Sequence, residues 1–214
     1  MDEAFFGVYF YPPESLTYGI FINSSGNRFV NEDSYGARIG YFCSQQDKQK
    51  AYLLIQNEDF SPSIYMDKLP IIAVADTFEE LEKEAGFEPN TLSATAKKYN
   101  DYANDGCDEA FRKDPQWLKE ICNPPYALID YSFDAQRSPA YSQETGPLMF
   151  TLGGLETLKT GEVLDKNGAI ISKLFAAGRT TAGLPRTGKG YSSGMSVGDA
   201  TFFGRMAGKS ASKK

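Results

Sequence analysis

Two capped helix patterns lie in the middle part of this chain, and they restrict the fold more than any other feature. The segment DTFEELEKEAGF contains a capping box, because Thr77 can accept a hydrogen bond from the Glu80 amide and the Glu80 side chain can reach back. The segment PNTLSATAKKYNDYANDG repeats this design, with Asn90 as the predicted N-cap. A glycine follows each apolar pattern, as is usual at helix C-termini. The sequence therefore predicts two helices between residues 76 and 106.

Strand-like segments flank these helices on both sides. Residues 20–23 are apolar, SSGN supplies a turn and RFVN returns, which predicts a hairpin. The run AYLLIQN at 51–57 is typical of a buried strand. Further on, GEVL, the turn DKNG and a returning strand predict a second hairpin, and LFAAG predicts a short final strand. Strands at both ends of a helical middle indicate an α+β fold.

The charge balance and residue content exclude several classes of function. The net charge is −6 and the pI is about 4.8, which argues against nucleic acid and anionic membrane surfaces as partners. No apolar run is long enough to span a bilayer. The chain has no histidine, which excludes histidine-based catalysis by this chain, and its three cysteines lack the CxxC spacing of zinc sites. We therefore expect no metal and a reducing, cytoplasmic compartment.

The stretch GKGYSSGMSVGDATFFGRMAG, residues 188–208, predicts a glycine-rich loop that leads into a final helix. Glycine lets a backbone approach a ligand closely, and a helix N-terminus presents unpaired amides with a partial positive charge. Asp199, in the first turns of this helix, is expected to interact with neighbouring backbone amides. Glycine-rich loops before helices are also common without a ligand, so this segment alone leaves both interpretations open.

Four motifs, taken in their order, extend over nearly the whole chain. They are GIFINSSGNRFVNEDSYGARIG, TLGGLET, GEVLDKNGAIISKLFAAGRTTAG and GYSSGMSVGDATFFGRMAG. Together they resemble the C-terminal half of the superfamily of FAD-dependent fumarate reductases, succinate dehydrogenases and 3-ketosteroid dehydrogenases. Each motif alone is weak, whereas four in order are specific. The resemblance implies FAD as the cofactor and a flavoprotein oxidoreductase as the functional class.

The resemblance also implies a domain organisation, because this family splits its FAD-binding domain around an inserted substrate or capping domain. We predict an end of the FAD domain with a hairpin over residues 1–27, a capping domain with helices and a small sheet over 28–145, and the returning FAD-domain segment over 146–214. The GxGxxG fingerprint that the family carries after a strand is not found here. We therefore hypothesise that the N-terminal FAD-binding half is missing from this chain. The surface that this half normally covers would then be apolar and would favour a homodimer.

By resemblance, two segments contribute to the flavin site. The residues that match Gly194, Met195 and Ser196 pass beside the isoalloxazine ring, and the turn of Gly178 and Arg179 belongs to the FAD side. A reduced flavin develops negative charge at its N1/O2 edge, and a helix N-terminus directed there stabilises that charge. The sequence therefore assigns these five residues to cofactor binding.

Two tyrosines and a serine are the candidate catalytic residues. In ketosteroid-type relatives a tyrosine at the position of Tyr191 polarises the substrate carbonyl with help from a nearby serine, here Ser193. Fumarate-reducing members place a proton-delivering arginine where this chain has Gly36, next to Tyr35. Their carboxylate-binding arginine corresponds to Tyr191. Tyrosines at or beside these positions predict a ketosteroid-like substrate, with Tyr35 abstracting the proton.

Arginines near both tyrosines are compatible with a second class of substrate, an anionic one. Arg38 and Arg186 can bind an anion, which favours an unsaturated acid and a fumarate- or urocanate-like reductase. Arg38 can instead form a structural salt bridge with Glu32 or Asp33, and Asn31 with Glu32 is expected to hold the loop through backbone hydrogen bonds. A third hypothesis is a non-catalytic chain that needs a separate FAD-binding partner.

Overall fold

The computed structural model describes residues 4–6, 17–60, 70–136, 149–184 and 187–213. It contains two compact units: a central unit, Val8–Leu148, and a terminal unit formed by Met1–Gly7 with Met149–Lys214. Helices and strands are mixed, as the predicted α+β class requires. The unit boundaries differ from those predicted at 27/28 and 145/146, and the assignment of substrate and FAD domains stays a prediction.

The central unit is built on a four-stranded antiparallel sheet with the order β2-β3-β5-β4. Its strands are β2 (Ile20–Asn23), β3 (Ala51–Gln56), β4 (Ile71–Ala75) and β5 (Tyr126–Asp130). The predicted strand at 51–57 is thereby confirmed. The return of the first predicted hairpin is reduced to one bridge between Ile22 and Arg28, and β2 pairs along its length with β3.

Both faces of this sheet are buried, which explains why β3 is an uninterrupted apolar run rather than an alternating one. Leu53 and Ile55 belong to one core cluster, which also contains residues of α1 (Gly36–Ser44). Leu54 belongs to a second cluster, with residues of α2 (Phe78–Ala85) and α3 (Thr91–Asp105). A short helix, α4 (Phe133–Gln136), follows β5.

The two predicted helices are confirmed, but only one of them is capped as expected. Thr77 Oγ1 accepts from the Glu80 amide at 3.2 Å, and α2 ends at Gly86. Asn90 makes no side-chain cap on α3. The buried carboxylate of Glu82 accepts instead from the backbone amides of Asn90 and Ser93, at 2.8 and 2.7 Å. Burial opposes ionisation, yet these hydrogen bonds hold the pKa of Glu82 below its ordinary value.

The terminal unit contains two small antiparallel sheets and a long helix. β1 (Ala4–Phe6) pairs with β6 (Met149–Thr151), and β7 (Glu162–Leu164) pairs with β8 (Ile170–Phe175). The two strands predicted within AIISKLFAAG are thus one strand, β8. The final helix, α5, runs from Met195 to Ala211. Among the described residues, no helix is both long and apolar enough to cross a membrane.

Candidate functional site

The structure places nine of the ten residues predicted for the site, and they fall in two groups. The central unit carries Tyr35 and Arg38. The terminal unit carries Gly178, Arg179, Tyr191, Ser193, Gly194, Met195 and Ser196. Arg186 lies outside the described residues. The structure therefore brings the predicted cofactor residues together with Tyr191 and Ser193 in one unit.

The glycine-rich loop holds the backbone of Tyr191 in a defined position. Residues 188–190 form a 3-10 turn, and Thr187 Oγ1 accepts from the amide of Gly190 at 3.2 Å. The amide of Tyr191 donates to the carbonyl of Gly188, also at 3.2 Å. Tyr191 itself is only 5% exposed. Its ring is therefore fixed by packing as well as by the turn that precedes it.

Helix α5 begins without a side-chain cap, and the amide of Met195 donates to the carbonyl of Ser192 at 3.4 Å. The next amides of the first turn are left to a ligand. The N-cap residue, Gly194, has φ +84°, a left-handed conformation that favours glycine. A Cβ atom built on Gly194 would meet nothing within 4 Å, so the space beside it is open. The first turn contains no acidic residue to occupy the positive end of the helix. This chemistry fits an acceptor with partial negative charge, such as the N1/O2 edge of a flavin.

The hydroxyl groups of Tyr191 and Ser196 are hydrogen-bonded to each other at 2.6 Å, and either can be the donor. Ser196 is the second residue of α5, so the pair lies at the open N-terminus of that helix. Ser193, the serine predicted to assist Tyr191, is exposed. The sequence did not single out this pairing, because a spacing of five residues across a loop and a helix start has no regular periodicity.

A second segment of the terminal unit is held by backbone pairing. Gly178, with φ +72°, opens a 3-10 turn, and the hydroxyl of Thr181 donates to its carbonyl at 2.8 Å. Leu155 pairs in parallel with Thr181. A Cβ atom on Gly154 would lie 2.5 Å from the Thr181 carbonyl carbon, so only glycine permits this close approach. The second glycine of the TLGG motif is thus explained by its close approach to the backbone of Thr180 and Thr181.

Asp199 ties α5 to the chain that precedes the glycine-rich loop. Its Oδ1 accepts from the amide of Leu184 at 3.0 Å, which confirms the predicted interaction with a backbone amide. Its Oδ2 is buried and has no hydrogen-bond partner within the described part of the chain. The carboxylate borders a cleft of about 460 Å³ between residues 154–161 and 181–184. No predicted cofactor-binding or catalytic residue lines this cleft, so it is separate from the open end of α5.

Tyr35 lies at the end of a loop in the central unit that is tied to a distant segment. Its carbonyl accepts from the amides of Arg38 and Ile39, at 2.8 and 3.2 Å, which starts α1. Asn31 donates through Nδ2 to the carbonyl of Arg112 at 3.1 Å and accepts from the Asp33 amide at 2.8 Å. The structure thus confirms that Asn31 holds this loop through backbone hydrogen bonds.

A buried ionic cluster lies beneath this loop and consists of Arg28, Glu32, Asp108 and Lys113. Arg28 contacts Glu32 at 2.6 Å and Asp108 at 2.8 Å, and Lys113 Nζ lies 3.4 Å from Glu32. Glu32 also accepts from the Phe21 amide at 3.0 Å, as expected of a residue that holds the loop. The guanidinium of Arg28 lies over the rings of Tyr99 and Phe111, at 5.1 and 4.8 Å from their centroids.

Arg38 takes no part in this cluster. Its side chain is exposed, and its guanidinium lies 5.9 Å from the ring centroid of Phe42. Glu32, the predicted structural partner of Arg38, is engaged by Arg28 and Lys113 instead. No group of three or more acidic or cysteine side chains with metal-binding geometry occurs among the residues that the structure describes.

Because of Lys113, the free energy of unfolding is expected to depend on pH in the alkaline range. Burial lowers the pKa of Lys113 to about 8, despite the opposing attraction of Glu32. Between about pH 8 and 10.5 the amine of Lys113 is therefore less protonated in the folded protein than in the unfolded chain. Because the unfolded chain binds more protons in this range, the contribution of Lys113 to the free energy of unfolding rises with pH. We expect the free energy of unfolding to gain up to about 1.4 kcal/mol per pH unit in this window.

Urea unfolding at a series of pH values checks this expectation. The gain is expected to disappear in Lys113→Met and to persist in Lys97→Met, whose amine is exposed and paired with Asp101. A wild-type profile that matches that of Lys113→Met would contradict the assignment.

The sequence of the chain is similar to those of FAD-binding proteins. The family described as FAD binding domain matches residues 17–194. A probable fumarate reductase of Shewanella frigidimarina is 29% identical over 200 residues, covering 91% of this chain and 31% of that protein. A 3-oxosteroid 1-dehydrogenase of Mycobacterium tuberculosis is 29% identical over 226 residues, covering 88% of this chain and 37% of that protein.

A solved structure shows the same relationship. The 3-ketosteroid-Δ4-(5α)-dehydrogenase of Rhodococcus jostii, in complex with 4-androstene-3,17-dione, is 35% identical with a TM-score of 0.74. The match covers 94% of this chain and 40% of that one. The chain therefore spans well under half the length of each of these three proteins.

Proposed function

The chain belongs to the FAD binding domain family, and from this premise we propose that it forms the substrate-contacting part of an FAD-dependent oxidoreductase that acts on a C–C bond next to a ketone. The observation that carries the proposal is the buried tyrosine hydroxyl of Tyr191 at the open, uncapped N-terminus of α5. A hydroxyl donor at the positive end of a helix suits a carbonyl oxygen that gains negative charge.

The flavin would be held by the residues around the start of α5 and by the turn at Gly178 and Arg179. The open space beside Gly194 and the uncapped amides of the first turn are suited to the pyrimidine edge of the ring. Met195 and Ser196 follow directly and would lie along it. When bound, FAD supplies the hydride acceptor in oxidation and the hydride donor in reduction.

A ketone is favoured over a dicarboxylate as the substrate. The chain has no histidine, and a tyrosine, Tyr191, occupies the position where the fumarate-type members carry a substrate-binding arginine. A solved relative at 35% identity is named as a ketosteroid dehydrogenase. A fumarate-like reductase would need a cation in the site, and Arg38 and Arg186 remain the candidates for that role.

The roles of the side chains follow from their chemistry. In the oxidative direction Tyr35 removes a proton from one carbon while the neighbouring carbon loses a hydride, and a double bond forms between the two. Tyr191 donates a hydrogen bond to the carbonyl oxygen, which acidifies the adjacent C–H bond, and Ser193 assists at the same oxygen. The same groups act in reverse when a double bond is reduced.

We further propose that a dinucleotide-binding segment outside these 214 residues completes the flavin site. No GxGxxG motif follows a strand in the sequence. The terminal unit exposes large apolar side chains on β8 and α5, which are Ile170, Ile171, Leu174, Val197 and Phe202. Such a surface suits a tightly packed partner, either that segment or a second copy of the chain. A cytoplasmic location stays a prediction.

Calorimetric titration of the chain with 4-androstene-3,17-dione and with fumarate tests the substrate class. We expect the steroid to bind, Tyr191→Phe to weaken its binding, and Tyr102→Phe, a change on α3 in the central unit, to leave it unaltered. Binding of fumarate without binding of the steroid would overturn the proposal in favour of the dicarboxylate reductase.

A further inference from the structure

We propose that Ser196 is a positioning residue that orients the hydroxyl of Tyr191, so that the positive end of α5 acts on the substrate carbonyl through two hydroxyl groups in series. The inference rests on the proposed function and extends it to a residue that the family resemblance assigned to the cofactor alone. It starts from the 2.6 Å contact between Tyr191 Oη and Ser196 Oγ.

The direction of this hydrogen bond decides what Tyr191 can do. Each hydroxyl has one hydrogen to donate and can also accept. If Tyr191 donates to Ser196, the tyrosine hydrogen is used, and within this pair only the Ser196 hydroxyl can donate to a ketone. If Ser196 donates to Tyr191, this pair does not use the tyrosine hydrogen, which can then be donated to a ketone. A ketone oxygen only accepts, so a ketone bound at the Tyr191 hydroxyl selects the second arrangement.

The position of Ser196 makes this arrangement productive. Ser196 is the second residue of α5, within the first turn, where the helix carries its partial positive charge and no acidic residue neutralises it. As the ketone oxygen gains negative charge, the Tyr191 hydrogen moves towards it and the Tyr191 oxygen becomes a stronger acceptor. The Ser196 hydroxyl meets that oxygen, and hydrogen bonds in such a chain strengthen one another.

Tyr191 is buried and its backbone is anchored, and both features strengthen the contact with Ser196. Because Tyr191 is 5% exposed, solvent does not freely replace the serine hydroxyl. The ring is anchored by the 3-10 turn at residues 188–190, so loss of the serine would leave the ring in place and free only the hydroxyl rotor. Ser196 therefore acts on orientation and on electrostatics, and it does not define the position of the ring.

The test is ¹³C NMR of the chain labelled at the tyrosine Cζ, with the Tyr191 resonance assigned from Tyr191→Phe. We expect Ser196→Ala to move this resonance, Ser196→Thr to restore it because the hydroxyl returns, and Ser192→Ala, an exposed neighbouring serine, to leave it unchanged. On addition of 4-androstene-3,17-dione the resonance should shift, with binding about fivefold weaker in Ser196→Ala than in wild type or Ser196→Thr.

Three outcomes would overturn the inference, and they can be distinguished from one another. If Ser196→Ala leaves the chemical shift of the Tyr191 resonance unchanged, the hydroxyl pair does not form. A resonance that responds to Ser196→Ala while the steroid binds wild type and Ser196→Ala equally would show a pair without a role at the ketone. A resonance that responds to the serine but to no steroid in any variant would refute the proposed function, and with it the ketone as the target of this pair.

Discussion

Replacement of Arg28 by methionine is expected to lower the free energy of unfolding of the central unit by about 3–5 kcal/mol, the usual cost of breaking a buried ion pair. Arg28 has a side chain that is 5% exposed and neutralises two carboxylates, Glu32 and Asp108, that are 1% and 0% exposed. Methionine fills a similar volume but leaves both acids without their main partner. The remaining cation, Lys113, lies 3.4 Å from Glu32 and cannot replace a bidentate guanidinium.

Urea unfolding followed by circular dichroism measures this loss, and the chain supplies its own control. Arg38→Met removes the same charge from an exposed side chain and is expected to change the free energy of unfolding by less than about 0.5 kcal/mol. Equal midpoints for the two variants would show that the ionic cluster does not stabilise the unit.

Replacement of Tyr35 by phenylalanine is expected to slow hydride transfer by about 10²–10⁴-fold, because a positioned proton acceptor is lost while the ring remains. The measurement is the rate at which a 3-ketosteroid reduces the flavin in flavin-loaded protein under anaerobic conditions. Tyr35 precedes α1 in a loop that Asn31 and Glu32 hold, so the variant should keep its fold.

Tyr41→Phe, a half-buried tyrosine of α1, is the matched control and should leave the rate within about threefold of wild type. If Tyr35→Phe also stays within that range, another group removes the proton. The role of Tyr35 would then be restricted to the start of α1.

The sequence predicted those features whose physical signal is local. The capping box of Thr77 and Glu80, the glycine after α2 and the apolar run of β3 each involve residues within a few positions of one another. The final helix after the glycine-rich loop was predicted as well, because its signal lies in neighbouring residues. The sequence did not determine its first residue.

Features that join distant segments were not predictable in the same way. Arg28 meets Asp108 across 80 positions, and the charged run DEAFRKD around Asp108 gives no sign that Lys113 is fully buried. Likewise, Asn90 has the sequence of an N-cap, but the carboxylate of Glu82 from the preceding helix takes that role, since α2 packs against α3. Such partners are chosen by tertiary packing, which overrides local preference.

The candidate site shows the same limit on a smaller scale. Tyr191 and Ser193 were both assigned to the substrate carbonyl by resemblance to ketosteroid-type relatives, and that assignment stays a prediction. The turn of the chain at Gly194 brings Ser196 to Tyr191 at 2.6 Å. Gly194, which lies between the two serines, has the left-handed conformation that starts α5, and the local sequence gives no signal for this contact.

The central claim is that the start of α5 lies against the flavin ring, and methyl NMR of methionine-labelled chain during titration with FAD tests it most directly. The aromatic flavin should shift the methyl resonance of Met195, assigned from Met195→Leu, and leave that of Met206, eleven positions further along the same helix, unchanged. FMN should reproduce the shift, whereas ADP, which lacks the flavin ring, should not. A Met195 resonance that stays in place at saturating FAD, or that responds equally to ADP, would contradict the assignment of this site to the flavin.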